Sequence, residues 1–263
     1  MKNVVITGST RGLGFEMAKK FLKIGCNVTI SGSKPESFNS TKEKLKEFNN
    51  KYIYIPCNVT KKEDLRNLWT KSSDKWGSVD IWINNAGQNC PRESFWDTPD
   101  DYIEAVVNTN IKGVMYGCKI AVENMIKQGH GQIWNMEGLG SNDIIIEQTI
   151  LYGTSKRALT YFTKGLAKEL KNSNIKVGRL SPGMMLTDFI TKSPNGEPSS
   201  VLEDDEFRKV FNTLGDKPET VAEFLVPKIL SNKKQDAHIV WLTNMKSAKR
   251  FMMSSFKKRE LLK

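Results

Sequence analysis

The chain has 263 residues, 40 Lys or Arg against 29 Asp or Glu for a net charge of +11, and 38% hydrophobic residues that include six Trp and twelve Phe. This length allows one large α/β domain or two small ones, with enough apolar side chains for a sizeable core. No apolar run reaches the ~20 residues that cross a bilayer, and the first core strand starts at about residue 3, so the protein is expected to be cytoplasmic.

Cys26, Cys57, Cys90 and Cys118 show neither a CxxC nor a Cys/His ligand spacing, and there are only two His. Free thiols and no metal site are expected, with Cys90 in a loop bordering the active site. The positive charge is uneven: residues 246–263 hold seven Lys or Arg and one Glu. No nucleic-acid motif accompanies it, so a phosphate-bearing cofactor and a basic tail account for the charge without a nucleic-acid partner.

In chain order, Val4, Val5 and Ile6 make a β-branched run suited to a strand covered on both faces. Thr7 and Gly8 break it, and Gly12 and Gly14 precede a helical pattern of Leu13, Met17, Ala18, Phe21 and Leu22 that stops near Gly25. A strand, a glycine turn and a helix N-terminus form an anion cradle, so the backbone from Gly8 through Ser9, Thr10, Arg11, Gly12 and Leu13 to Gly14 is predicted to hold a pyrophosphate. The spacing TGxxxGxG is a variant of the dinucleotide fingerprint. Asn27 to Ile30 is the next strand. Its end, where the adenosine ribose would lie, carries Ser33 and Lys34 and no acid. With Arg11, these donors favour the 2′-phosphate of NADP(H) over NAD(H).

Tyr52 to Pro56 reads as the third strand, and Asn58 and Val59 follow it at the nucleotide edge. Thr60 with Glu63 reads as a capping box for a helix to about Trp76. Val79 to Ile83 is the fourth strand and ends in Asn84-Asn85-Ala86-Gly87, where a parallel sheet binds ligands.

TGxxxGxG at 7–14, NNAG at 84–87, Asn110 in Asn110-Ile111-Lys112-Gly113, Tyr152-xxx-Lys156 and Ser181-Pro182-Gly183 occur in order. Together they resemble the short-chain dehydrogenase/reductase superfamily, over roughly residues 1–190. The resemblance implies a single-domain Rossmann fold with an about seven-stranded, mostly parallel, doubly wound sheet and helices on both faces. It also implies a homodimer or homotetramer, a helix disturbed at Asn110 with a water held in a proton relay, and a serine ending the fifth strand to polarise the substrate carbonyl.

Thr98 and Pro99 open the next helix, expected to run to about Gln128. Gln132 to Met136 is the fifth strand, followed by Glu137-Gly138-Leu139-Gly140-Ser141. Read without gaps, the family's serine position is Gly138, and Ser141 is the nearest hydroxyl. This N-M-acid-G-x-G-S stretch, SPGM at 181–184 and the run from Pro218 to Pro227 are similar to the chlorophyll b reductase-like branch, which reduces a formyl group on a chlorin ring with NADPH in plants.

Tyr152 and Lys156 stand one turn apart on one helix face. A phenol of reference pKa ≈ 10 needs roughly 4 kcal/mol of phenolate stabilisation to work near neutrality, which the Lys156 ammonium and an oxidised nicotinamide can provide. The helix reaches about Leu170, and Ile175 to Leu180 is the sixth strand. The resemblance implies that Pro182, Gly183 and Met185 border the nicotinamide. Thr187 contacts the carboxamide, or else caps the helix before Phe189. Residues 191–217, rich in Pro, Ser, Gly and acids, read as a substrate lid with a short helix at Phe207, Val210 and Phe211. A helix from Thr220 to Leu230, bent at Pro227, and a strand from Ile239 to Leu242 complete the domain at about residue 245.

In the tail, Ala248, Phe251, Met252, Ser255 and Phe256 recur at helical spacing opposite Lys249, Lys257 and Lys258. This basic amphipathic helix either packs on its own domain or a neighbouring subunit, or docks on an anionic membrane. The activity expected is NADP(H)-dependent interconversion of a carbonyl and an alcohol on a lipophilic or ring-bearing small molecule. Tyr152, Lys156, Asn110 and Ser141 would be the catalytic set. The alternatives are a hydroxysteroid-type alcohol dehydrogenase, and a nucleotide-binding sensor or scaffold with little catalysis.

Overall fold

In the computed structural model, which describes residues 1–193, 196–254 and 259–262, the opening apolar run lies in β1 (Asn3–Ile6), buried on both faces. Val4 and Ile6 point to one side and Val5 to the other, and the two cores divide along that alternation. Val4, Ile6, Ile30, Trp134 and Leu180 pack against Met17 and Phe21 of α1 (Gly12–Lys23) and Val226 and Ile229 of α9 (Pro218–Ser231). Val5, Trp82, Ile133 and Val177 pack against Leu65 and Leu68 of α3 (Lys62–Trp76), Ile120 of α5 (Val114–Gln128) and Leu159 of α6 (Ile150–Glu169).

The seven strands are β1, β2 (Asn27–Gly32), β3 (Tyr52–Pro56), β4 (Ile81–Asn84), β5 (Gly131–Met136), β6 (Ile175–Ser181) and β7 (Ala237–Val240). All pair in parallel, in the order β3-β2-β1-β4-β5-β6-β7. This is the expected doubly wound α/β architecture. The strand order reverses between β1 and β4, so a crevice opens at their carboxyl ends, where the glycine turn and the NNAG segment meet.

Two expected helix caps are corrected. Thr60 does not cap α3: its hydroxyl donates to Asn58 Oδ1 at 2.9 Å, and the N-cap is Lys61. Thr98 donates to Ser94 O, and Pro99 is the N-cap of α4 (Asp100–Val106). Helix α9 continues through Pro227 to Ser231. The short lid helix is α8 (Asp205–Leu214), capped by Asp204, which accepts from the N–H groups of Glu206 and Phe207. A short α2 (Asn39–Lys44) and α7 (Asp188–Thr191) complete the order up to the tail.

The tail forms α10 (Asn244–Ser254) and turns back on α8. It packs through a polar side. Arg250 donates to both oxygens of Asp216, at 2.8 and 3.0 Å, and Arg259 adds a third bond at 2.8 Å. Phe251 and Met252 of the predicted apolar stripe face outward, 48% and 72% exposed. Ser255, Phe256, Lys257 and Lys258 lie outside the described residues.

Candidate active site

The cradle follows from close backbone approach. Gly8 has φ +61°, and a Cβ there would stand 2.8 Å from Ala86 Cα. A Cβ on Gly14 would stand 2.5 Å from both Gly8 O and Asn85 Nδ2. Thr7 Oγ1 accepts from the N–H groups of Asn85 and Ala86, and Asn85 Nδ2 donates to the Thr7 and Gly8 carbonyls at 2.9 Å each. The NNAG asparagine thus braces the glycine turn. Helix α1 starts at Gly12, and its N-cap Arg11 makes no side-chain cap, so the first-turn N–H groups are left for an anion.

Of the residues assigned to the nucleotide, Gly8, Thr10, Arg11, Gly12, Leu13 and Gly14 border one cleft with Ser33, Lys34, Asn58, Val59, Asn85, Ala86 and Gly87. Tyr152, Lys156, Pro182, Gly183, Met185 and Thr187 line it from the other side. Ser9 is the exception. It is fully buried and turned into the sheet, donating to Ile6 O at 2.7 Å and accepting from Ser31 N. Ser33 and Lys34 are exposed at the end of β2, and Arg11 reaches Asp188 at 3.3 Å. Thr187 is the N-cap of α7 without using its side chain, which leaves the hydroxyl on the cleft.

Lys156 is 4% exposed, and its Nζ donates to Met136 O at 3.1 Å. The ammonium stands 5.6 Å from the centroid of the Tyr152 ring. Burial lowers the lysine to about 8, opposed by the charge of Glu137. Burial pushes the Tyr152 phenol up, with Cys90 adding to it, so the phenol is protonated at neutral pH and Lys156 alone does not bring the lowering expected of it. The Phe189 ring packs 5.7 Å from the Tyr152 ring, a wall that sequence patterning did not mark.

Between α4 and α5 the backbone runs as a π-helix over Val107–Gly113, with Asn110 fully buried inside it. Asn110 Oδ1 accepts from Gln88 N at 2.7 Å. Its Nδ2 donates to Gln88 O at 2.9 Å and to Ser155 Oγ at 3.0 Å. Gln88 and Ser155 are the partners that sequence reasoning missed, being 22 and 45 residues away.

Ser141 is 8% exposed, and its hydroxyl is engaged on both sides: it accepts from Gly138 N at 3.1 Å and donates to Lys156 O at 3.3 Å. At Gly138, a Cβ would stand 2.5 Å from the Tyr152 hydroxyl oxygen. The phenol therefore occupies the space that a side chain at residue 138 would need. Cys90 is half-buried and the other three cysteines are buried, all free thiols, and no group of metal-ligating side chains occurs among the described residues.

A family model for short chain dehydrogenases matches residues 2–198. The chain belongs to the short-chain dehydrogenase family. Within it, the chain sits in the chlorophyll b reductase-like branch. It is 34% identical over 255 residues to chlorophyll(ide) b reductase NOL, chloroplastic, of Arabidopsis thaliana, covering 93% of this chain and 71% of that protein. It is 35% identical to the probable chlorophyll(ide) b reductase NYC1 of Oryza sativa subsp. japonica, covering 92% of this chain but 50% of that one. A solved short chain dehydrogenase from Burkholderia cenocepacia J2315 in complex with NADP superposes with a TM-score of 0.76 at 25% identity, over 91% of this chain and 96% of the other. Membership makes the protein an oxidoreductase of the nicotinamide-dependent kind. The glycine cradle, the first-turn N–H groups and the Tyr152–Lys156 pair fit such a cofactor. No helix among the described residues is long and apolar enough to cross a membrane.

Proposed function

We propose that this short-chain dehydrogenase uses NADP(H) to interconvert a carbonyl and an alcohol on a lipophilic, ring-bearing molecule. The observation that carries the proposal is the Tyr152–Lys156 pair, which faces the same cleft as the glycine cradle. A bound nicotinamide dinucleotide supplies or takes up the hydride. In the reducing direction Tyr152 gives its proton to the oxygen of the former carbonyl. Lys156, held by Met136 O, favours the phenolate that results. Asn110 keeps the 88–90 segment in place beside α6 and supports a water relay. Ser141, with both sides of its hydroxyl engaged, holds the 138–141 turn and leaves the carbonyl oxygen to Tyr152.

Cofactor choice rests on Ser33 and Lys34, which follow β2 with no carboxylate between them, and on Arg11 at the start of α1. A ring-bearing substrate is supported by the likeness to the plant chlorophyll(ide) b reductases and by Leu139, Ile144, Ile146, Leu186, Phe207 and Val210 around the cleft. Residues 191–217 are read as the lid over it. A second copy of the chain is supported by the α5/α6 face, where Ile126 and Tyr161 are 59% and 85% exposed. The outward Met245 and Met252 beside Lys249 on α10 support peripheral contact with an anionic membrane.

Tyr152→Phe is expected to lower kcat with a suitable aldehyde or ketone by at least ~10²-fold while leaving NADPH affinity nearly unchanged. Turnover that survives the substitution removes Tyr152 from the chemistry. Fluorescence titration is expected to give tighter binding of NADPH than of NADH, and the reverse order defeats the assignment of Arg11, Ser33 and Lys34.

A further inference from the structure

One buried carboxylate is left without a part in this chemistry. Glu137, 3% exposed, directly follows Met136, whose carbonyl holds Lys156 Nζ. Its Oε1 accepts from Thr160 Oγ1 at 3.0 Å, and Arg179 NH1 lies 3.4 Å from it. Its Oε2 takes a short bond from Ser181 Oγ and meets His238 Nε2 at 2.8 Å. Four elements therefore converge on one side chain: the end of β5, α6 one turn past Lys156, and β6 and β7 through neighbouring register positions.

The cluster is not a nucleophile triad. Ser181 Oγ and Glu137 Oε2 both meet the same His238 nitrogen, at 2.9 and 2.8 Å, so the imidazole cannot relay a proton between them through its two nitrogens. The carboxylate is also incompletely neutralised. Arg179 divides itself between Glu137 and Asp236 at 3.4 Å each, and its Nε has no hydrogen-bond partner among the described residues. The remaining charges nearby are turned elsewhere: Arg157 pairs with Asp143 at 2.9 Å, and Cys90 faces Tyr152. A buried anion with hydroxyl partners and one loosely held cation projects its field onto Lys156, whose ammonium is held by the carbonyl of the preceding residue, Met136.

We propose that Glu137 is a positioning residue that acts through Lys156: its charge, fixed by Thr160, Ser181 and His238, keeps the buried lysine in the ammonium form that the acid–base centre uses. Two further observations agree. Burial alone would raise Glu137, yet the hydrogen bonds from His238 and Ser181 hold it down at about 2, so it is an anion at every working pH. Burial alone lowers Lys156, and Glu137 is the charge that opposes this. The inference rests on the assignment of Lys156 to the acid–base centre.

The test reads Lys156 in the free protein, by NMR titration of its side chain, with the signal assigned by its loss in Lys156→Met. Wild type is expected to titrate at about 8. Glu137→Gln keeps the size and one acceptor oxygen but removes the charge, and the midpoint is expected to fall by roughly half a pH unit or more. The alkaline limb of kcat/KM is expected to fall with it, since the lysine then loses its proton at lower pH. Arg179→Met removes the competing cation and is expected to move the midpoint upward. General damage shifts both variants the same way, whereas a purely structural Glu137 lowers thermal stability without moving the titration. A Glu137→Gln midpoint that is unchanged or raised overturns the proposal. Should that variant fail to fold, an unchanged or lowered midpoint in Arg179→Met overturns it equally. Because the midpoint is read without substrate, its shift stands or falls separately from the proposed reaction, which Tyr152→Phe tests.

Discussion

A single missing methyl group shapes the reacting centre. Glycine at residue 138 lets the Tyr152 hydroxyl lie within 2.5 Å of where a Cβ would be. Adding that carbon in Gly138→Ala must push the phenol off its position, because the contact is far inside van der Waals range. The expected result is a loss of roughly ten-fold or more in kcat with little change in NADPH affinity, measured by steady-state kinetics and fluorescence titration. Wild-type turnover in the variant would mean that the phenol works from another position. Ser141 is the counterpart at this scale: its hydroxyl accepts from Gly138 N and donates to Lys156 O, so in the proposed reaction it holds the 138–141 turn.

At the scale of elements, the helix expected from about Thr98 to Gln128 is divided by the π turn over Val107–Gly113, at the place where the resemblance implied a disturbance around Asn110. A π turn widens the backbone ring and re-aims one side chain, and here it brings the Asn110 amide to both backbone groups of Gln88 and to Ser155. Asn110→Ala removes the partner of the half-buried N–H and C=O of Gln88. Urea denaturation is expected to show a loss of about 2–4 kcal/mol. A loss under ~1 kcal/mol would mean that water takes over those bonds.

Over the whole molecule, the tail and the cofactor loop meet at Asp216. Its backbone bonds Met184 O and Leu186 N at 3.0 Å each, while its carboxylate, 5% exposed, takes Arg250, Arg259 and Trp241 Nε1. Those bonds keep the acid below its ordinary carboxylate range even though burial alone would raise it. Deleting residues 246–263 removes both arginines from a buried anion, and a destabilisation of about 3 kcal/mol is expected in urea denaturation. Co-sedimentation with anionic liposomes should fall in the same variant. Unchanged binding would leave the tail as an internal strap alone.

The order of strand, glycine turn and helix, the YxxxK face and the SPG loop were legible in the chain because each depends on neighbours within a few residues. Backbone propensity, glycine freedom and helical spacing are local properties, and together with the family resemblance they sufficed for the sheet class and for the residues that line the cleft. The inward turn of Ser9, the commitment of Ser141, the Glu137 cluster and the clamp of Arg250 and Arg259 on Asp216 were not legible. Each joins residues whose proximity exists only once the strands are ordered and the tail has folded back. Sequence by itself determined the family of this protein and the order of its strands, glycine turn and helices. Tertiary structure decided which polar groups face the cleft and which are spent holding it together, because a buried donor or acceptor goes to whichever partner the packing brings within reach.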